Sequence, residues 1–203
     1  MKKCMILLAG YPATGKSYLC NLILSKFPQF QSVNFDELKE KKWDEFGFCN
    51  LKEKQLLETL AWQEYYTMLE NLMEKGEMII SDYPFSEKQK GNLSGLSKKY
   101  DYQVITIRML GNIEKLYERS LKRDLDSKRH LGHLVSSYQK GDVLDDRRTA
   151  DQLVTYGIFQ DRCLNKGYDV FELGKLIKVD ATDYSKIDYA KIINTITKYV
   201  LET

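Results

Sequence analysis

The 203 residues are 43% hydrophobic and 30% charged, a globular composition with enough chain to bury one α/β core, which excludes a disordered or fibrous chain. Lys and Arg number 31 against 29 Asp and Glu, and the net charge of +2 gives no general attraction to nucleic acid or to an acidic membrane surface. Cys4, Cys20, Cys49 and Cys163 stand far apart with no Cys-x-x-Cys pair, which excludes a zinc knuckle and a thioredoxin-like motif and suits a reducing, cytoplasmic setting.

Short apolar runs alternate with longer amphipathic stretches, the pattern of βαβ units around a parallel sheet. Residues 4–9 are apolar throughout, as a central parallel strand is; the run is too short for a membrane span and lacks a signal-peptide cleavage site. A helix is expected over 15–26, stopping near Pro28, then a second strand over 31–35. Leu56, Leu57, Leu60, Tyr65, Leu69 and Leu72 recur near helical spacing over 53–75, with Gly76 after the end. Strands follow at 77–81 and 102–110, a helix at 113–126, a strand at 176–180 and a closing helix at 184–201. The expectation is one α/β domain over 1–203: a three-layer, doubly wound, parallel five-stranded sheet with a helical insert over about 37–75 and a helical lid over about 123–145. In such sheets ligands bind beyond the carboxyl ends of the strands.

At the first strand end stands Gly10-Tyr11-Pro12-Ala13-Thr14-Gly15-Lys16-Ser17, matching Gly-x-x-x-x-Gly-Lys-Ser between a strand and a helix. Backbone N–H groups of such a loop wrap a phosphate, and the following helix presents the positive end of its dipole. Gly10 and Gly15 permit close approach, Lys16 reaches the β- and γ-phosphates, and Ser17 ligates Mg²⁺. A structural turn would leave the same glycines without the lysine's task.

Asp36 is placed at the end of the second strand, where a carboxylate takes the proton of an acceptor hydroxyl or caps the helix that follows; the two roles are compatible. Asp82 follows Met78-Ile79-Ile80-Ser81, the address of a carboxylate that holds Mg²⁺, or of one that starts the Tyr83-Pro84 turn. Arg119 and Arg123 share a helix face, suited to neutralising a transferring phosphoryl group or to stacking on adenine, or else to a solvated face paired with Glu118 and Asp126. Arg129 belongs to the same basic stretch as Lys122 and Lys128. His130 and His133 lack a third ligand for zinc and are assigned to a mobile lid around Leu131-Gly132 or to substrate. Trp43, Phe46, Phe48, Trp62, Tyr65 and Tyr66 read as core before they read as an aromatic binding platform. Asp142, Asp145, Asp146, Arg147 and Arg148 read as a solvated loop.

Together, Gly10 to Ser17, Val33-Asn34-Phe35-Asp36, Ile79-Ile80-Ser81-Asp82, and Arg119 with Arg123 resemble the small P-loop kinases of the nucleotide- and polynucleotide-kinase type. That group includes gluconate-, shikimate- and chloramphenicol-phosphorylating enzymes and zeta-toxin-like kinases, and the likeness extends over most of the first 130 residues. The resemblance implies a nucleoside-kinase-like fold that takes ATP and Mg²⁺. It implies Asp36 as base, Lys16 and Ser17 on the nucleotide phosphates and metal, and Asp82 in the cleft. It also implies Arg119 and Arg123 at the lid or adenine, and Thr182, within Val179-Asp180-Ala181-Thr182, beside adenine. The Tyr83-Pro84-Phe85 turn departs from the Thr-Asn type of polynucleotide kinases, and residues 134–174 match no relative closely. The expected activity is phosphoryl transfer from ATP-Mg²⁺ to a hydroxyl of a small molecule, with a polynucleotide 5′-hydroxyl as alternative acceptor and a non-catalytic nucleotide sensor as alternative class. No Asn-Lys-x-Asp guanine motif supports a GTPase.

Overall fold

The computed structural model describes residues 3–201. Five strands, β1 (Cys4–Gly10), β2 (Phe30–Ser32), β3 (Met78–Asp82), β4 (Gln103–Leu110) and β5 (Lys175–Asp180), form one sheet in the order β2-β3-β1-β4-β5. All four pairings are parallel. β1 is central, and its period-two alternation feeds both faces. Cys4, Ile6 and Leu8 pack with Leu19, Cys20 and Ile23 of α1 (Lys16–Lys26) and with Ile192, Ile196 and Val200 of α7 (Tyr189–Leu201). Met5, Leu7 and Ala9 pack with Ala61, Tyr65, Leu69 and Met73 of α3 (Leu51–Glu74) and Leu93 of α4 (Glu87–Lys99). The three-layer α/β expectation therefore holds. Among the described residues no helix is long and apolar enough to cross a membrane.

The second strand is shorter than expected. β2 stops at Ser32, and Phe35 already belongs to α2 (Phe35–Phe46). Asn34 is the reason: its side chain accepts hydrogen bonds from the N–H groups of Asp36 and Glu37 and so starts a helix. The Val33-x-Phe35 alternation imitates a strand because the Phe35 ring is buried for another purpose, stacked on Trp62 at 3.7 Å. Asp36 thus lies in the first turn of a helix, neither at a strand end nor at the cap position.

Two further helices carry weak sequence signals. α4 contains Gly91 and Gly95 and few apolar residues, and it starts where the Gln89 side chain accepts from the Ser86 N–H at 3.0 Å. α6 (Tyr156–Asn165) starts at Thr155, whose side chain accepts from the Ile158 N–H. Between them runs α5 (Ile113–Leu125), against which α6 packs through Leu116, Phe159 and Cys163. The closing helix begins at Tyr189, because Asp183 caps a separate turn over Tyr184–Lys186. On α3 the buried stripe is Leu57, Ala61, Tyr65, Leu69 and Met73; Leu56 and Leu60 face solvent.

At the β1 carboxyl end the chain passes close to β4. Gly10 has φ 106°, and a Cβ there would stand 2.0 Å from the Met109 carbonyl oxygen. Gly10→Ala therefore has neither the backbone angle nor the space. It is expected to destabilise the protein by more than about 2 kcal/mol in equilibrium denaturation, at the upper end for single substitutions. A loss below about 0.5 kcal/mol, the range of ordinary surface changes, would show that the close approach relaxes freely.

Candidate active site

After Gly10 the loop folds on itself. The Tyr11 N–H donates to the Met109 carbonyl at 3.0 Å, and the Thr14 hydroxyl donates to the Tyr11 carbonyl at 2.9 Å. Ala13 and Gly15 take left-handed φ of 59° and 83°. For Ala13 that conformation is strained, and the Tyr184 hydroxyl steadies it by donating to the Ala13 carbonyl at 2.8 Å. Gly15 occupies the N-cap of α1 and supplies no side-chain cap, so the first amides of the helix are left for a ligand.

Lys16 is buried beneath this loop, and its Nζ donates to the Tyr11 carbonyl at 2.6 Å. Burial drives the ammonium down to about 8, against a partial counter-effect from Asp82. Ser17 donates its hydroxyl to Asp82 Oδ2 at 2.6 Å. Asp82 ends β3 and is buried, which raises its carboxyl; the Ser17 hydroxyl and Lys16 oppose that rise. A neutral donor on a buried carboxylate at a phosphate-sized loop suits Mg²⁺, which keeps water and phosphate ligands and asks little of the protein. Among the described residues no cluster of three or more His, Cys, Asp or Glu side chains forms a self-sufficient metal cage.

These groups open on a cleft of about 590 Å³ that also receives Asp36, Lys39, Arg119, Arg123, Arg129 and His133. Asp36 Oδ1 accepts from Lys39 Nζ at 2.9 Å, one helical turn away, and Arg129 stands 3.8 Å from Oδ2. Burial alone would raise the Asp36 carboxyl, but Lys39 first, then His133 and Arg129, outweigh it and hold the group below the ordinary carboxylate range. Arg129 is also 3.7 Å from Glu40 and 3.8 Å from Asp124, a guanidinium set among three carboxylates. Arg123 pairs with Asp124 at 2.9 Å, not with Asp126. Arg119 donates to the carbonyls of Ala181 and Thr182 at 2.6 and 2.8 Å, with its guanidinium 3.8 Å from the centre of the Tyr184 ring. Thr182 itself stands outside the cleft lining: its hydroxyl accepts from the Asn112 N–H.

The segment expected as a mobile lid is tied down. His133 Nε2 is 2.6 Å from Glu40 Oε1, and His130 Nε2 is 3.1 Å from Asp44 Oδ1. Burial pushes His133 down to about 4, so it faces Glu40 as a neutral donor at pH 7. The Tyr138 hydroxyl donates to Asp44, and Tyr138 and Phe48 exchange backbone hydrogen bonds. Trp43, Phe48, Leu131, Leu134 and Tyr138 form the small core beneath. Trp43, Phe48 and Tyr65 are core as expected, Trp62 and Tyr66 pack half-buried against it, and Phe46 is exposed. In the charged loop, Arg147 is not merely solvated: it donates to the carbonyls of Arg129 and Ser127.

Lys39, Lys54, Glu58, Tyr83, Arg162, Lys166 and Tyr168 line the cleft without having been singled out from the sequence for it. A faint signal exists for Lys54 with Glu58 and for Arg162 with Lys166, each four apart on one helix face, but such pairs are common on solvated helices.

No protein-family model matches the sequence, and no curated protein matches it. Among solved structures the fold is similar to that of a protein from Chloroflexus aurantiacus, provisionally named a kinase, at 22% identity over 98% of both chains with a TM-score of 0.77. It is similar to a gluconokinase from Sinorhizobium meliloti at 12% identity over 95% of this chain and 88% of that one, TM-score 0.51. It is also similar to a sugar kinase from Janibacter at 10% identity over 97% and 94%, TM-score 0.50. At these identities the likeness concerns the fold: a five-stranded parallel sheet flanked by helices.

The buried Lys16 ammonium makes a test that needs no ligand. Between pH 8 and 10.5 the unfolded lysine holds more proton than the folded one, so folding stability rises with pH across that window. Lys16→Met removes that rise. Wild type is expected to gain stability relative to the variant from pH 8 to pH 10 in urea titrations, and the variant to be no less stable at pH 7. Parallel pH profiles would mean that Lys16 is solvated in the folded protein.

Proposed function

We propose that this chain is an ATP-dependent kinase that phosphorylates a hydroxyl group of a small molecule. One observation carries the reading: the uncapped α1 amino terminus with Lys16, the Ser17–Asp82 pair and the Asp36 carboxylate all face one cleft. The kinases among the fold neighbours support it. In this reading the chain works as one unit, residues 37–75 form the acceptor wall, and residues 123–145 form a cover whose outer part is pinned to α2.

ATP with Mg²⁺ would supply the γ-phosphoryl group and the charge that draws it into line. The loop Gly10, Tyr11, Pro12, Ala13, Thr14 and Gly15 would curve around the phosphate chain; Pro12 has no N–H and that of Tyr11 is held by Met109, so the amides would come from Ala13 onward into the start of α1, and Lys16 would supply a positive charge at the chain's end. Ser17 and Asp82 would hold Mg²⁺ on the other side of the phosphates. Arg123 neutralises charge on the group in transit, and Arg119, stiffened by Ala181 and Thr182, borders the base with Tyr184. Thr182 acts through Arg119 alone.

Asp36 receives the acceptor hydroxyl. A carboxylate held below its ordinary range is a weak base, and the loose transition state of phosphoryl transfer asks for little basicity early on. Its task is to fix the hydroxyl oxygen by accepting its hydrogen bond, and to take the proton late. Lys39 keeps it ionised.

The test is ADP release over a panel of sugars, sugar acids, polyols and nucleosides, comparing wild type with Asp36→Asn. The variant is expected to bind ATP-Mg²⁺ as tightly as wild type while kcat falls about 100-fold or more, the usual scale for a positioned acid–base group. Undiminished turnover in Asp36→Asn would remove the residue from the mechanism. Tight ATP binding with no acceptor phosphorylated by wild type would favour a nucleotide sensor.

A further inference from the structure

Most of the positive charge in the cleft is already answered. Lys39 holds Asp36, Arg123 holds Asp124, Arg129 stands among Asp36, Glu40 and Asp124, and Arg119 is spent on two carbonyls. Lys54, Arg162 and Lys166 differ. All three line the cleft, yet none has a carboxylate within ion-pair distance among the described residues. Among the described residues the acids lining the cleft are Asp36 and Asp82, both already engaged, and Glu58, which leaves a surplus of about two positive charges beside Lys54, Arg162 and Lys166.

Lys54 is not a surface lysine. Its Nζ lies 5.3 Å from the centre of the Trp43 ring and 5.4 Å from that of Phe48, and it donates to the Val135 carbonyl at 3.3 Å. Burial pushes its ammonium down to about 8. An ammonium placed so, with no carboxylate partner, is costly unless an anion arrives. Arg162 and Lys166 sit one turn apart at the end of α6, with Tyr168 just beyond. Tyr83 links this wall to the reacting end. Burial raises its phenol first; then Asp36, Tyr168 and Glu58 push it up while Arg162 opposes them, so Asp36 and Arg162 act on one ring.

We propose that the acceptor carries an oxyanion, a carboxylate or a phosphate monoester, which seats against Lys54, Arg162 and Lys166 while its hydroxyl faces Asp36. This rests on the kinase reading of the same cleft. It narrows the acceptor to an acidic polyol or a sugar phosphate. Neutral sugars and nucleosides leave the three cations unanswered.

The experiment uses the full chain and matched pairs of compounds: gluconate with glucitol, glycerate with glycerol, and glucose 6-phosphate with glucose. Thermal shifts are read with and without a saturating non-hydrolysable ATP analogue and Mg²⁺. An acidic member is expected to raise the melting temperature where its neutral partner does not, and the responding pair tells carboxylate from phosphate. Arg162→Gln with Lys166→Gln, both at exposed positions, is expected to weaken that acid about 10-fold to 100-fold, the scale of one or two charge-assisted hydrogen bonds, and to leave the nucleotide response intact. Equal responses to acid and neutral partner, no response to any acid, or an unweakened double variant would each overturn the anion site. So would a 5′-hydroxyl oligonucleotide phosphorylated in preference to every acid. Loss of the nucleotide response in wild type is a separate outcome and strikes the kinase reading instead.

Discussion

The passage of Gly10 past the Met109 carbonyl sets the rest of the site. β1 and β4 are neighbours in register, and the chain leaves β1 by turning directly over the end of β4. No side chain fits at that point, and only a positive φ turns the chain there. From it follow the left-handed Ala13 and Gly15, the uncapped start of α1, and the burial of Lys16 beneath its own loop. The loop is therefore built before any ligand arrives. Its cost is visible as an unpaired helix terminus and a lysine depressed by desolvation, and both costs disappear when an anion is present.

The opposite wall is governed by charge pairing. α2 contributes Asp36, Lys39, Glu40 and Asp44 along its length, and each meets a group from the same helix or from residues 129–138. Trp43 lies beneath, in contact with both histidine rings. These contacts tie residues 129–138 to α2.

The legible parts of the sequence were those where one residue type has one physical use. A continuous apolar run followed by Gly-x-x-x-x-Gly-Lys-Ser gave β1, the loop and α1 together, and Asp82 at the end of β3 followed from the same strand logic. The second strand reads too long in the sequence because Phe35 alternates with Val33 while packing as a helix residue; the Asn34 cap that ends it is an equally good loop residue in isolation. α4 stayed hidden behind two glycines, and α6 behind a short span with a modest apolar face. The acceptor wall was illegible for a different reason. Lys54, Arg162 and Lys166 come together only through the tertiary fold, and nothing local separates them from solvated surface cations.

The proposed function stands on ATP and Mg²⁺ binding in the cleft through the amino terminus of α1. Calorimetric titration of the purified chain with ATP, with and without Mg²⁺, tests it most directly. Binding at micromolar ATP that weakens markedly when Mg²⁺ is withheld, and that GTP does not match, is the predicted result. No heat at millimolar ATP with Mg²⁺, a free energy weaker than about −4 kcal/mol, would contradict the account at its root.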